Sequence, residues 1–200
     1  MTAPTQSQNN RQLPASRLPE MLYDQYAPGF LSICIRYCGN RKDAEDTLHD
    51  GFIKILQNLS KFNERKGCSF EGWMKRIIVN TALNFIRDHA KERKFLDIDP
   101  ISEKIAAEED EENQYEELAG KIDTEEVMKM ICELPLGYRT VFNLYVFESF
   151  SHRGIANELG CSENTSKSQL SKARAMLRKK LNEAYFKQSE HHGKAESKSR

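Results

Sequence analysis

SHRGIANELGCSENTSKSQLSKARAMLRKKL, residues Ser151–Leu181, has the spacing of a helix-turn-helix that ends in a basic helix. Ile155, Ala156 and Leu159 give its first helix an apolar face at helical spacing, and Ala156 is small enough for a second helix to cross closely. Gly160 stands where the chain must reverse, a position that favours a residue tolerant of positive φ. Ser162 is a natural N-cap for the next helix, and Glu163 in its first turn suits the positive end of the helix dipole. Leu170, Ala173 and Leu177 form the inward stripe of that helix, while Lys167, Lys172, Arg174, Arg178, Lys179 and Lys180 lie on or beside its wet face. Such a helix holds phosphates along its length and offers polar groups at its start to base edges in a major groove. An ordinary helical hairpin with a solvated basic face is the plainer reading of the same residues.

The rest of the chain sets limits on what this unit belongs to. Two hundred residues suffice for one ordinary domain or two small ones. With 38% hydrophobic and 30% charged residues, the cores should be small and helical. No apolar run approaches the roughly 20 residues that span a bilayer, and the polar start MTAPTQSQNNRQLPASRLPE lacks the apolar core of a secretory signal. A cytoplasmic protein is expected. The formal net charge of +0 conceals segregation: 61–94 is basic, 103–117 is acidic with an unbroken run from Glu108 to Glu112, and the C-terminal third is basic again. Binding answers to local potential, so overall neutrality does not argue against nucleic acid. The five cysteines, Cys34, Cys38, Cys68, Cys132 and Cys161, are scattered; they read as free thiols, with no metal, no cofactor and no disulfide expected.

Helical periodicity continues through both halves, with no strand pattern and no repeat. Leu22, Tyr23, Tyr26, Phe30, Ile33 and Tyr37 recur at helical spacing up to Gly39-Asn40, and Asp43 is placed to cap the next helix, whose stripe is Leu48, Phe52, Ile55, Leu56 and Leu59. A polar loop over 63–69 precedes a long helix from about Phe70 to Ala90, with Trp73, Ile77, Ala82 or Leu83, and Ile86 facing inward. The fold class is therefore all-α: two small helical domains joined by a flexible acidic linker, the C-terminal one a helix-turn-helix. The expected divisions are a disordered tail over 1–17, a first domain over 18–95, the linker over 96–123, a second domain over 124–185 and a disordered tail over 186–200.

One helix-turn-helix suits many regulators, and the first half narrows the choice. Asp43-Ala44-Glu45-Asp46, followed by Leu48, His49, Asp50 and Phe52, sets an acidic edge beside an apolar stripe, and Phe70, Trp73, Ile77, Asn80, Asn84 and Arg87 fall on one long helix. In this order, across an acidic linker, these motifs resemble the bacterial sigma-70 family of the extracytoplasmic function (ECF) type, over about Leu22–Lys94 and Glu125–Leu181. The resemblance implies a transcription initiation subunit, not an enzyme. It binds the RNA polymerase core through the clamp helices of the largest subunit, at positions matched here by Asp46, His49, Asp50 and Phe52. It also implies a −10 element surface on the long helix and the loop before it, at Lys66, Lys75, Arg76, Asn80, Asn84 and Arg87. Melted DNA needs such a basic track with amides suited to base edges. The −35 element falls to Glu163, Asn164, Thr165, Lys167, Ser168, Ser171 and Lys172, with Arg174 and Arg178 on phosphates. Its regulatory partner is an anti-sigma factor, often membrane-bound.

The chain departs from the family pattern in several places. His49-Asp50 stands where members commonly carry Gln-Glu, Asn84 replaces a frequent acidic residue, and Asn164 and Ser166 replace the usual Gly and a frequent Val. These changes bear on promoter choice. Gly51 replaces a bulkier residue and should weaken its helix by roughly 0.5–1 kcal/mol relative to Ala. The alternative is an autonomous helix-turn-helix regulator with a helical sensor domain, which would require a ligand pocket or a dimer seam in the first half.

Overall fold

The structure, a computed structural model, describes residues 17–62, 69–90 and 122–196, giving backbone alone for residues 90 and 187–196. The expected N-terminal tail up to residue 16, the acidic linker up to residue 121, and the loop residues Lys66 and Cys68 lie outside the described residues. Among those described there is no strand. The α-helices are α1 (Leu18–Cys38), α2 (Arg41–Asn58), α3 (Phe70–Ala90), α4 (Thr124–Cys132), α5 (Leu136–Phe142), α6 (His152–Leu159) and α7 (Glu163–Glu196). A 3-10 turn, Leu59–Lys61, follows α2, and a π-helical turn, Asn143–Phe147, continues α5.

In the first half α1, α2 and α3 pack on one another. Their buried stripes follow the helical period: Phe30, Ile33, Cys34 and Tyr37 from α1, Leu48, Phe52 and Ile55 from α2. On α3 the buried line is Met74, Ile78, Val79, Ala82, Leu83 and Ile86. Trp73 and Ile77, expected to face inward, lie one position to the side and are only partly buried. Trp73 instead joins an aromatic group with Phe62 and Phe70, at ring-centroid distances of 5.4 and 5.8 Å. Cys34 and Cys38 are buried free thiols, raised by burial to about 12 and about 11.

Local signals explain the helix ends. Gly39, at φ 81°, caps α1 by returning its N–H to the Ile35 carbonyl. Asn40, rather than Asp43, is the N-cap of α2: its side chain accepts the Asp43 N–H at 2.9 Å, and its amide donates to the Asp43 carboxylate at 2.7 Å. Asp43 therefore completes a reciprocal cap from within the first turn. Gly51 also acquires a packing reason. A Cβ there would sit 2.5 Å from Cδ1 of Ile78, a side chain with no exposure, so glycine lets α2 approach α3. The helix propensity lost, about 0.5–1 kcal/mol, is smaller than the roughly 1–3 kcal/mol that overpacking a core costs.

In the second half Asp123 caps α4, Ser151 caps α6 and Gly160, at φ 68°, ends α6 in the left-handed region. Met130, Ile131, Leu134, Ala173, Leu177 and Leu181 form one apolar cluster between α4 and α7. Val141, Leu144, Ile155 and Leu170 do something else. They belong to the same core as α1–α3, so the two halves share an apolar centre. Tyr145 and Phe147 are exposed, because the π turn shifts the register beyond Leu144. The α7 backbone stays helical to Glu196, past Tyr185, where the sequence ends the folded part. The segment after Tyr185 is rich in Lys, Glu, Gln and Ala, which carry good helix propensity.

Candidate nucleic-acid interface

The start of α7 is built locally. Ser162 accepts the Thr165 N–H at 2.9 Å, and its hydroxyl lies 2.9 Å from that of Thr165. Glu163, Asn164, Lys167 and Ser168 are exposed on the first turns, while Thr165, Ser171 and Lys172 are half-buried. Lys172 lies 5.9 Å over the Tyr138 ring and Arg174 lies 5.8 Å over Tyr145, so each cation is partly oriented by an aromatic face. Arg178 is half-buried further along the helix. Ser166 does not belong with the base readers: it is fully buried and bonds His152 Nδ1 at 2.9 Å, joining α6 to α7. Burial and the neighbouring Lys167 lower the His152 pKa.

A second surface lies on α3. Arg76, Asn80, Asn84 and Arg87 are all exposed, and their spacing of four, four and three places them on one face, with Lys75 at its edge. Arg87 donates to the Asn84 side-chain carbonyl at 2.7 Å. On α2, Asp46, His49 and Asp50 are exposed, and His49 is held by Tyr23, whose hydroxyl is 3.2 Å from Nε2. Phe52 is not part of that surface. At 4% exposure it packs against Tyr23 and Phe30, supporting the acidic edge from beneath. The structure thus divides the candidate residues among three surfaces rather than gathering them into one site.

Long-range contacts add residues that no local pattern marks. Arg139, 8% exposed, donates from Nη2 to the carbonyls of Tyr37 and Cys38 at 3.1 and 3.2 Å, and from Nη1 to the Cys132 carbonyl. The end of a helix leaves such carbonyls without partners and carries the negative end of the dipole, so a cation there is doubly favoured. The approach requires Gly39, since a Cβ would collide with the Arg139 guanidinium. Desolvation lowers the Arg139 pKa; hydrogen bonds to a charged donor, each worth about 1.5–3 kcal/mol, offset that cost. Asn143 on the π turn donates to the Arg36 carbonyl at 2.9 Å. Glu148, just beyond, pairs with Lys75 at 2.9 Å and Arg36 at 3.8 Å, and Glu158 on α6 pairs with Arg87. Arg36 stacks 4.1 Å over Phe147.

No helix among the described residues is long and apolar enough to cross a membrane. An all-helical chain with a capped helix-turn-helix and a second basic helix face falls in the class of DNA-binding transcription proteins. Residues 22–92 match the family model for sigma-70 region 2, and residues 124–177 match that for sigma-70 region 4. The ECF RNA polymerase sigma-E factor of Haemophilus influenzae is 27% identical over 172 residues, covering 80% of this chain and 86% of that protein. The RNA polymerase sigma-H factor of Pseudomonas aeruginosa is 28% identical over 169 residues, covering 81% and 85%. Among solved structures, the sigma factor RpoE in complex with the anti-sigma factor NepR from Bartonella quintana aligns with a TM-score of 0.48 and 21% identity, covering 83% of this chain and 98% of that one.

The chain belongs to the sigma-70 family and is an RNA polymerase sigma factor of the ECF type, directing transcription initiation at promoters. Both family regions are present in order, so an autonomous regulator with a sensor domain is not favoured. Sigma factors are DNA-binding initiation factors and not enzymes.

Proposed function

We propose a division of this activity among three surfaces. The start of α7, through Glu163, Asn164, Thr165, Lys167, Ser168, Ser171 and Lys172, reads the −35 element, with Arg174 and Arg178 on nearby phosphates. The α3 face, through Lys75, Arg76, Asn80, Asn84 and Arg87, together with Lys66, holds the separated −10 strand. The exposed Asp46, His49 and Asp50 of α2 meet the clamp helices of the polymerase largest subunit, where acidic groups complement basic ones. On this reading residues 18–95 and 124–185 are the two working units, 96–123 joins them, and the protein acts in the cytoplasm. An anti-sigma factor is the partner proposed to hold it inactive.

The observation that carries the −10 assignment is the exposed line of Arg76, Asn80, Asn84 and Arg87 on a single helix face. Two cations and two bidentate amides in a row suit phosphates and unstacked bases together. Strand opening then follows from differential binding, because a face that prefers the extruded strand to duplex shifts the closed–open equilibrium. Asn80→Ala/Asn84→Ala should leave holoenzyme assembly and −35 binding intact while reducing open complexes on a linear promoter, read by permanganate reactivity of unpaired thymines. A premelted bubble should restore much of the lost initiation. Wild-type opening by the double variant returns both residues to structural roles.

A further inference from the structure

The geometry points to Tyr145 as a positioning residue for promoter binding: its ring holds Arg174 of α7 in place for a phosphate of the −35 duplex. The inference rests on the assignment of Arg174 to phosphate. The Arg174 guanidinium lies 5.8 Å over the Tyr145 ring. Tyr145 in turn stacks on His152, with ring centroids 4.8 Å apart and an interplanar angle of 24°. His152 Nδ1 lies 2.9 Å from the hydroxyl of fully buried Ser166. The ring is therefore tied to the start of α6 through His152 and, by way of Ser166, to α7 itself. The π turn makes this possible. Its Glu148 N–H reaches back to the Asn143 carbonyl at 3.2 Å, Leu144 stays in the core, and Tyr145 turns outward. All of these residues lie in the second half of the chain.

An exposed arginine samples many rotamers that miss a given phosphate, and ordering such a side chain on binding lowers affinity. The negative face of an aromatic ring attracts the guanidinium and removes part of that cost beforehand. At an exposed site this attraction converts to about a two- to fivefold effect on binding. A ring that swung freely would restrict the arginine little. The stack on His152 and the His152–Ser166 bond fix the Tyr145 ring against that motion. Lys172 lies 5.9 Å over Tyr138 in a similar way, but Tyr138 also packs against the apolar cluster between α4 and α7, so its loss would disturb that core. Tyr145, 36% exposed, can be changed with less disturbance.

The test uses holoenzyme reconstituted from the full chain and purified bacterial core polymerase, with a fluorescein-labelled duplex selected from a random pool by the wild-type holoenzyme. Anisotropy titrations across a range of KCl, in the cold so that the promoter stays closed, give affinity and salt dependence. Arg174→Ala should weaken binding and lower the salt slope by about 0.9, the share of one phosphate contact. Tyr145→Leu should weaken binding about two- to fivefold with a shallower slope, while Tyr145→Phe should bind as wild type does. Tyr145→Leu/Arg174→Ala should be no weaker than Arg174→Ala alone, because the ring acts through the arginine. A phenylalanine trifluorinated on its ring, placed at position 145, keeps the shape but loses the negative face, and should match Tyr145→Leu even if that variant folds poorly. Additive losses in the double variant, a loss in Tyr145→Phe equal to that in Tyr145→Leu, or wild-type binding by Tyr145→Leu or by the fluorinated ring overturns the proposal. Full affinity in Arg174→Ala instead refutes the assignment of Arg174 to phosphate, and the inference falls with it.

Discussion

The two helices proposed to meet DNA differ in how they are made. The start of α7 is set by residues within a few positions of one another: Ser162 caps it, Gly160 turns the chain into it, and its polar residues point to solvent. The α3 face is equally regular as a helix, yet its cations are engaged by Glu148 and Glu158 from the other half of the chain. One surface is complete once its own turn has folded. The other has a condition that depends on how the halves pack. Two faces of similar composition can therefore differ in availability, and the difference lies in contacts between residues more than 70 apart in sequence, such as Arg87 and Glu158.

Removing the anchor should change the comparison most. Arg139→Ala leaves carbonyls at the end of α1 and at Cys132 without their donor, and each unmet buried acceptor costs about 1–3 kcal/mol. A loss of about 2–4 kcal/mol is expected in urea unfolding. Separated halves should also appear as a larger radius of gyration by X-ray scattering. An unchanged radius with full stability would mean that Arg139 does not join the halves.

A smaller effect is expected at the locally built surface. Ser162→Ala removes the cap that receives the Thr165 N–H and should cost about 1 kcal/mol. Because that helix start carries the proposed −35 residues, duplex binding should weaken while acetylation of Lys75 on α3 by an N-hydroxysuccinimide ester stays at its wild-type level. Coupled changes at both surfaces would erase the distinction between them.

The smallest effect concerns pH. His152 bonds buried Ser166 and has a pKa lowered from 6.5 by burial, with Lys167 adding to the shift. The unfolded chain therefore takes up the proton first as pH falls. Stability from this group is fully present above pH 6.5, and declines as pH drops through 6.5 towards the lowered folded value. Thermal midpoints at pH 7.5 and 5.5 should converge in His152→Gln relative to wild type. An equal pH response in both would assign the dependence to other groups.

Much of this was legible without coordinates, because it depends on interactions of short range. Helical periodicity marks α1, α2, α3 and α7, and Gly39, Gly160 and Ser162 mark their ends through backbone and capping chemistry. Legibility fails where a second element decides. Asp43 and Asn40 both suit an N-cap, and only the backbone angles chose Asn40. Ser166, a departure from the family pattern expected to bear on promoter choice, is buried against His152, and Phe52, matched by resemblance to the polymerase-docking positions, is covered by Tyr23 and Phe30. Gly51 reads as a weak point in its helix and is the place where Ile78 enters.

The sequence by itself determined the helical class, the helix-turn-helix and the residues that present charge and amides, since period, capping and composition act within a few residues. Only the tertiary structure decided that Arg139 closes the end of α1, that Val141 and Leu144 complete the first half's core, and that Glu148 and Glu158 sit on the α3 cations. Those contacts join residues distant in the chain. Their energy depends on shared burial and on geometry between helices, and a linear pattern specifies neither.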